Sequence, residues 1–200
     1  MIMGWLSKFT SPKETESDWI MTALSKSLAI IEFSPDGTIL TANDNFLSVM
    51  GYSLSDVQGR HHNMFVDAEY AQSIEYKQFW QKLAKGDYFS DEFQRLRSDG
   101  SPVWIQATYN PILDEENRVI KVVKLATDIT EQKMQAADYS GQIAAISKSQ
   151  AVIEFNMDGT IITANDNFCQ TMGYELDEIK GQHHSMFAEP DYAQSPEYQA

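Results

Sequence analysis

Residues 31–46, I-E-F-S-P-D-G-T-I-L-T-A-N-D-N-F, carry the reading that decides the fold. The run from Leu28 to Phe33 is apolar and β-branched, and Thr38 to Thr41 resumes after Asp36-Gly37. Glycine tolerates positive φ at a tight turn, so the pair of runs predicts a β-hairpin. Asn43 then caps a short helix reaching Met50, which Gly51 closes. The same text returns at residues 153–168 as I-E-F-N-M-D-G-T-I-I-T-A-N-D-N-F. Lys26 to Gln78 and Lys148 to Ala200 align without a gap at an offset of 122, and 31 of the 53 positions are identical. A repeat of that length is a small domain. The second copy stops partway through its unit, so the chain reads as a piece of something longer.

Working outward, residues 10–18 form a polar linker ending at a helix cap, and Trp19, Ile20, Ala23 and Leu24 recur at helical spacing. Leu54 to Val57 is a helical turn closed by Gly59. Ala68 to Ala84 reads as one longer helix with Tyr76, Phe79, Trp80 and Leu83 on one face. The period then changes from helical to alternating. Tyr88 to Leu96, Val103 to Asn110 and Val119 to Ile129 predict three long antiparallel strands, separated by turns at Asp99-Gly100 and at Asp114 to Asn117. Thr130 to Lys148 predicts a helix capped by Asp128, with Glu131 as the return partner and with Ala136, Tyr139, Ile143 and Ile146 along one seam. The fold class is therefore α+β: a five-stranded antiparallel sheet, short helices on one face, and a helical linker to a second, incomplete copy. The expected segments are 1–18 (N-terminal), 19–130 (complete domain), 131–148 (linker helix) and 149–200 (the first half of a second domain).

A net charge of -14 and a pI near 4.5 argue against nucleic-acid binding, which requires basic patches. No apolar run approaches the length of a transmembrane segment, and Met1 to Phe9 is too short for a signal sequence. The single cysteine, Cys169, excludes an intrachain disulfide and fits a reducing compartment, which places the chain in the cytoplasm. No nucleophile elbow, phosphate loop, zinc-protease or kinase motif is present, so no enzyme is expected.

The hairpin, A-N-D-N-F, M-G-Y, G-x-H-H-x-M-F, R-x-D-G-x-x-x-W (Arg97 to Trp104) and the terminal Asp128-Ile129-Thr130 together resemble a PAS sensory domain. Within that superfamily, Gly59 to Gly86 is similar to the PAS domains of bacterial aerotaxis and energy-taxis receptors, members of the methyl-accepting chemotaxis proteins, and to soluble tandem-PAS transducers. The resemblance implies a sensory input module for a small ligand, oxygen or redox state. It also implies a homodimer, and a chemotaxis coupling protein and kinase reached through downstream regions. Two alternatives use the same modules: a histidine kinase or cyclic-di-GMP enzyme whose catalytic domain lies elsewhere, and a cofactor-free dimerisation domain.

The pairs His61-His62 and His183-His184 are the residues most suggestive of chemistry, because imidazole ligates metals and haem near neutral pH. Three roles fit such a pair: a packing histidine bonded to backbone, a ligand of haem b through His61 or His62, or a flavin contact. Adjacent histidines point in different directions, so at most one of each pair faces a pocket. By resemblance, Asn63, Met64 and Trp80 join them around a cofactor such as FAD. The chain departs from the aerotaxis pattern, however, with Phe65-Val66 where those receptors place an Arg-His pair. Asp128, Thr130 and Glu131 are the expected signal relay. The second copy is expected to be poorly ordered, or to borrow surface, because it lacks partners for Ile153, Phe155, Ile161 and Phe168.

Overall fold

The hairpin that opens the repeat also anchors the sheet. The computed structural model describes residues 15–193 and residue 195. Met1 to Phe9, most of the 1–18 segment and the last residues of the second Y-A-Q-S-x-E-Y text lie outside them. Helix α1 (Glu16–Ser25) begins three residues before the expected start at Trp19 and leads into β1 (Ala29–Phe33) and β2 (Ile39–Ala42). The turn between the strands closes through the Ser34 N–H to the Thr38 carbonyl at 2.8 Å, with Gly37 at φ +91°. A side chain on Gly37 would meet His61 Nε2 at 2.7 Å and Trp80 Cε2 at 2.8 Å, so the glycine serves both the turn and the close packing above it.

Asn43 does more than cap the next helix. Its Oδ1 accepts from the N–H groups of Ile30 and Phe46, and its Nδ2 donates to the Leu28 carbonyl. One side chain thereby joins the start of β1 to α2 (Asp44–Met50), which Gly51 ends in the left-handed conformation. After α3 (Leu54–Val57) comes a 3-10 turn, His62–Phe65. The single helix expected over residues 68–84 is two: α4 (Ala68–Gln72) and α5 (Ile74–Leu83). Ser73 divides them. Its Oγ accepts from the Tyr76 N–H at 3.1 Å, restarting the helix as a cap. The apolar face of α5 is as expected, with Tyr76, Phe79, Trp80 and Leu83 all buried.

Strands β3 (Phe89–Leu96), β4 (Pro102–Leu113) and β5 (Val119–Asp128) complete an antiparallel sheet of order β2-β1-β5-β4-β3. The chain thus returns β5 to the centre, beside β1, and leaves β3 at an edge. Registration places Ile31, Lys124, Tyr109 and Phe89 in one row across the sheet. The helices cover the face that carries Phe33, Ile105, Ala107, Tyr109 and Val122, and each fully buried large apolar side chain there contributes roughly 1.5–3 kcal/mol.

Helix α6 (Thr130–Ser149) follows β5, and inter-residue contacts divide the chain between Lys133 and Met134. The second unit repeats the first element by element: β6 (Ile153–Phe155), β7 (Ile161–Ala164), α7 (Asp166–Met172), α8 (Leu176–Ile179), a 3-10 turn His184–Phe187, and α9 (Pro190–Ala193). Even the hairpin register and its bulge recur. Asn165 repeats the Asn43 bonds, accepting from Val152 and Phe168 and donating to Gln150. Among the described residues, nothing corresponds to β3, β4 and β5. The inward face is therefore uncovered: Phe155 is 42% exposed where its counterpart Phe33 is fully buried. No helix among the described residues is long and apolar enough to cross a membrane.

Local hydrogen bonds form the second hairpin, but few apolar contacts hold it shut. Amide exchange in the isolated chain should therefore be faster across residues 152–163 than across residues 29–42, by at least tenfold, as read by hydrogen–deuterium exchange mass spectrometry. Equal protection of the two hairpins would show that the second unit gains a partner surface in solution.

Candidate functional site

The 3-10 turn after α3 turns the two adjacent histidines in opposite senses. His61 caps the turn at its surface. Its Nδ1 accepts from the Asn63 N–H at 3.1 Å, so the proton sits on Nε2, which donates to the Asp36 carbonyl at 2.8 Å. His62 is fully buried. Its Nδ1 lies 2.9 Å from the Tyr76 hydroxyl and its Nε2 lies 3.0 Å from the Tyr109 hydroxyl. A neutral imidazole has one donor and one acceptor nitrogen, and a phenol can serve either. The ring is thus satisfied on both sides, between α5 and β4.

Six rings surround it. Phe33, Phe65, Tyr76, Phe79, Trp80 and Tyr109 have centroids 5.4 to 6.5 Å from the His62 centroid. Burial in this apolar shell holds the His62 pKa well below its ordinary value, and the nearby charges of Arg95 and Lys124 press the same way. Burial likewise raises both tyrosines above the ordinary phenol value. At neutral pH the bridge is therefore an uncharged Tyr–His–Tyr chain.

Two cations share the interior. Arg95 follows Phe89, Asp91 and Phe93 along the inward positions of β3. Its Nη2 donates to the Tyr109 hydroxyl at 3.4 Å, its Nη1 donates to the Gln94 carbonyl, and its Nε is buried without a partner. Lys124 lies at the centre of β5, 1% exposed, with its ammonium 4.8 Å from the Tyr109 ring centroid and 5.8 Å from that of Phe46. Burial, and then the charge of Arg95, drive its pKa well below the usual lysine range. Among the described residues, neither cation forms an ion pair with a carboxylate. Trp80 Nε1 is a third buried donor. It lies near enough to the Tyr76 hydroxyl to favour the phenolate, yet outside hydrogen-bond geometry.

The structure thus brings His62 and Trp80 together, with His61 against the Trp80 ring at 5.9 Å. Met64 packs half-buried against the core, while Asn63 is exposed and takes part in the turn through its backbone N–H and carbonyl. His183 and His184 stack on each other at 4.5 Å, and His184 also meets Phe155; neither stands in an aromatic shell like that of His62. A haem iron finds no free imidazole in this arrangement. Both nitrogens of His61 and both of His62 are engaged, leaving no lone pair free for iron, and side chains fill the space around the ring. Sequence reasoning had not selected Arg95, Lys124, Tyr76 or Tyr109 as site residues. Strand alternation carried the signal, because Arg95 is in phase with Phe93, and Lys124 with Val122 and Ala126.

At the far end of the sheet a second cluster holds the start of α6. Arg97 donates to the Val49 carbonyl and pairs with Asp128 at 3.2 Å. Asp128 Oδ1 accepts from the Thr130 N–H at 2.8 Å, and Thr130 Oγ1 accepts from the Trp104 N–H at 3.0 Å. Lys133, one turn on, pairs with Glu92 and lies over the Trp104 ring.

The depressed His62 pKa sets a pH dependence. The unfolded histidine protonates near 6.5 while the folded one stays neutral, so stability is fully present above that pH and falls as pH drops below it, by up to about 1.4 kcal/mol per pH unit. His62→Gln retains a donor and an acceptor between the tyrosines but cannot titrate. Urea denaturation across the histidine range, from about pH 7.5 down to about pH 5, should show a steeper loss in the parent chain than in the variant; parallel profiles would refute the assignment.

A family profile described as PAS fold matches residues 39–126, and one described as PAS domain matches residues 149–200. The chain is 43% identical over 178 residues to the biofilm dispersion protein BdlA of Pseudomonas aeruginosa, covering 89% of this chain and 43% of that protein. It is 28% identical over 100 residues to the aerotaxis receptor of Escherichia coli, covering 50% of this chain and 19% of the receptor. The chain therefore spans less than half the length of either relative. The PAS domain of a protein from Colwellia psychrerythraea superposes with a TM-score of 0.51 at 22% identity, over 58% of this chain and 99% of that domain, and shares its fold. With this sheet order, these two profile matches and these relatives, the chain belongs to the PAS family of sensory domains and carries two PAS units in tandem.

Proposed function

We propose that the chain is the non-catalytic sensory input of a cytoplasmic chemotaxis transducer, in which a change around His62 is passed along β4 and β5 to helix α6. The observation that carries this reading is the continuity of those strands. Tyr109 and Lys124 stand in the interior, and on the same two strands Trp104 and Asp128 grip the first turn of α6. A stimulus that alters the Tyr109–His62 bond or the Lys124 environment biases the strand ends, and so the population of helix positions. Similarity to BdlA and to the aerotaxis receptor supports a chemotaxis setting. The output would pass through a coupling protein and kinase. Exposed Tyr139, Ile143 and Ile146, with Ala136 one turn before them, form an apolar row on α6 suited to a homodimeric helix pair.

Asp128→Ala removes the Arg97 ion pair and the acceptor for Thr130, both partly exposed, and should destabilise the first unit by only about 1 kcal/mol. In a full-length transducer carrying this substitution, kinase output should no longer respond to stimulus while the folded population is retained. An undiminished response would count decisively against the relay.

A further inference from the structure

Along α6 the side chains are placed contrary to their chemistry. From Glu131 to Ile146 every residue is exposed except one, and that one is a lysine. Met134, Tyr139 and Ile143 stand in solvent, while Lys133 is partly buried. A lysine is covered where its stem lies on apolar surface and its ammonium reaches a partner. Lys133 has both. Its ammonium is 5.3 Å from the centroid of the Trp104 ring on β4, and it pairs with Glu92 on β3. Glu92 and Trp104 stand on the face of the sheet opposite the core, at positions alternating with Phe93 and Ile105.

We propose that Lys133 is a positioning residue: it seats α6 on Trp104 and, through Glu92, makes the helix follow strand β3. Asp128 and Thr130 hold the start of α6 to β5 and β4. One turn later Lys133 adds β3, an edge strand bonded only to β4. A strand bonded on one side moves with fewer hydrogen bonds broken than one bonded on both. Phe93, the neighbour of Glu92, lies 5.5 Å from the Tyr109 ring, and Arg95 donates to the Tyr109 hydroxyl at 3.4 Å. A movement at Tyr109 therefore reaches Glu92 along β3. The seat is light. The side chains of Lys133 and Glu92 are 39% and 44% exposed, so salt screens their attraction. Ion pair and ring contact together favour the seated helix by only about tenfold. A preference of that size is tipped by a small shift of β3. The seat also ends where the first unit ends, since the boundary between the two units falls directly after Lys133.

This inference rests on the relay proposed above and names the residue that sets the helix position. The test is hydrogen–deuterium exchange across residues 131–138 of the full chain. Lys133→Met keeps an apolar stem on Trp104 but loses the charge, and should speed exchange there by about fivefold to tenfold. Glu92→Gln removes only the ion pair and should speed it by about threefold. Lys133→Arg keeps both contacts and should exchange like the parent chain. Raising sodium chloride from about 20 mM to about 500 mM should speed exchange in the parent and leave Glu92→Gln unchanged. Parent-like exchange in Lys133→Met, an equal salt response in Glu92→Gln, or Lys133→Arg behaving like Lys133→Met would each overturn the assignment. Kinase output of the full-length transducer separates the two readings. Variants that loosen the helix yet leave the stimulus response intact sink the relay and leave the seat. A helix that stays seated in Lys133→Met, while Asp128→Ala abolishes the response, does the reverse.

Discussion

The imidazole of His62 holds the helical layer to the sheet. Its side chain is bonded at once to α5, through Tyr76, and to β4, through Tyr109. In a dry aromatic interior an unsatisfied ring nitrogen would be costly, so the bridge forms on both sides or the layers cannot close over it. Gly37 belongs to the same arrangement. The hairpin must pass so near His61 and Trp80 that a Cβ would intrude, which ties the turn geometry of β1 and β2 to the packing of α5.

The two units isolate what the surroundings contribute. His61-His62 and His183-His184 sit in almost identical local sequence, and both pairs open a 3-10 turn whose first histidine accepts from the backbone two residues on. Local hydrogen bonds therefore reproduce the turn without help. The second histidine behaves differently. His62 is sealed among six rings and two cations, whereas His184 stacks on its neighbour and touches Phe155. No residue of the second copy within this chain corresponds to Tyr109, Arg95 or Lys124, all of which lie on strands present once. A buried, neutral histidine is thus a property of the assembled sheet, not of the H-H motif.

In the proposed relay, Arg95 and Lys124 are the interior groups that link this chemistry to signalling. Charge in a protein interior makes the packing around it sensitive to whatever neutralises it. Arg95 and Lys124 stand on the same hydrogen-bonded strand system as Trp104 and Asp128, which is the path the proposed relay to α6 uses.

Much of the architecture was legible in the residues. The hairpin followed from Asp36-Gly37 between apolar runs, α2 from Asn43 and Gly51, and the three long strands from their alternation, because each depends on interactions a few residues long. The longer helix expected over residues 68–84 was misread at Ser73, where a side-chain cap outweighs the continuity of the apolar stripe. The site was legible only in part. His62 and Trp80 stood out by type, but every ring nitrogen of the first pair is engaged, which leaves none free to ligate a haem iron. Arg95, Lys124 and Tyr109 lie 33, 62 and 47 residues from His62 in sequence, and only the return of β5 to the centre of the sheet sets them around it. By itself, the sequence determined the repeat, the elements and their turns, since those are settled by neighbours in the chain. The tertiary structure alone decided which histidine is buried and what faces it, since desolvation and hydrogen-bond pairing depend on groups that meet only when the strands close.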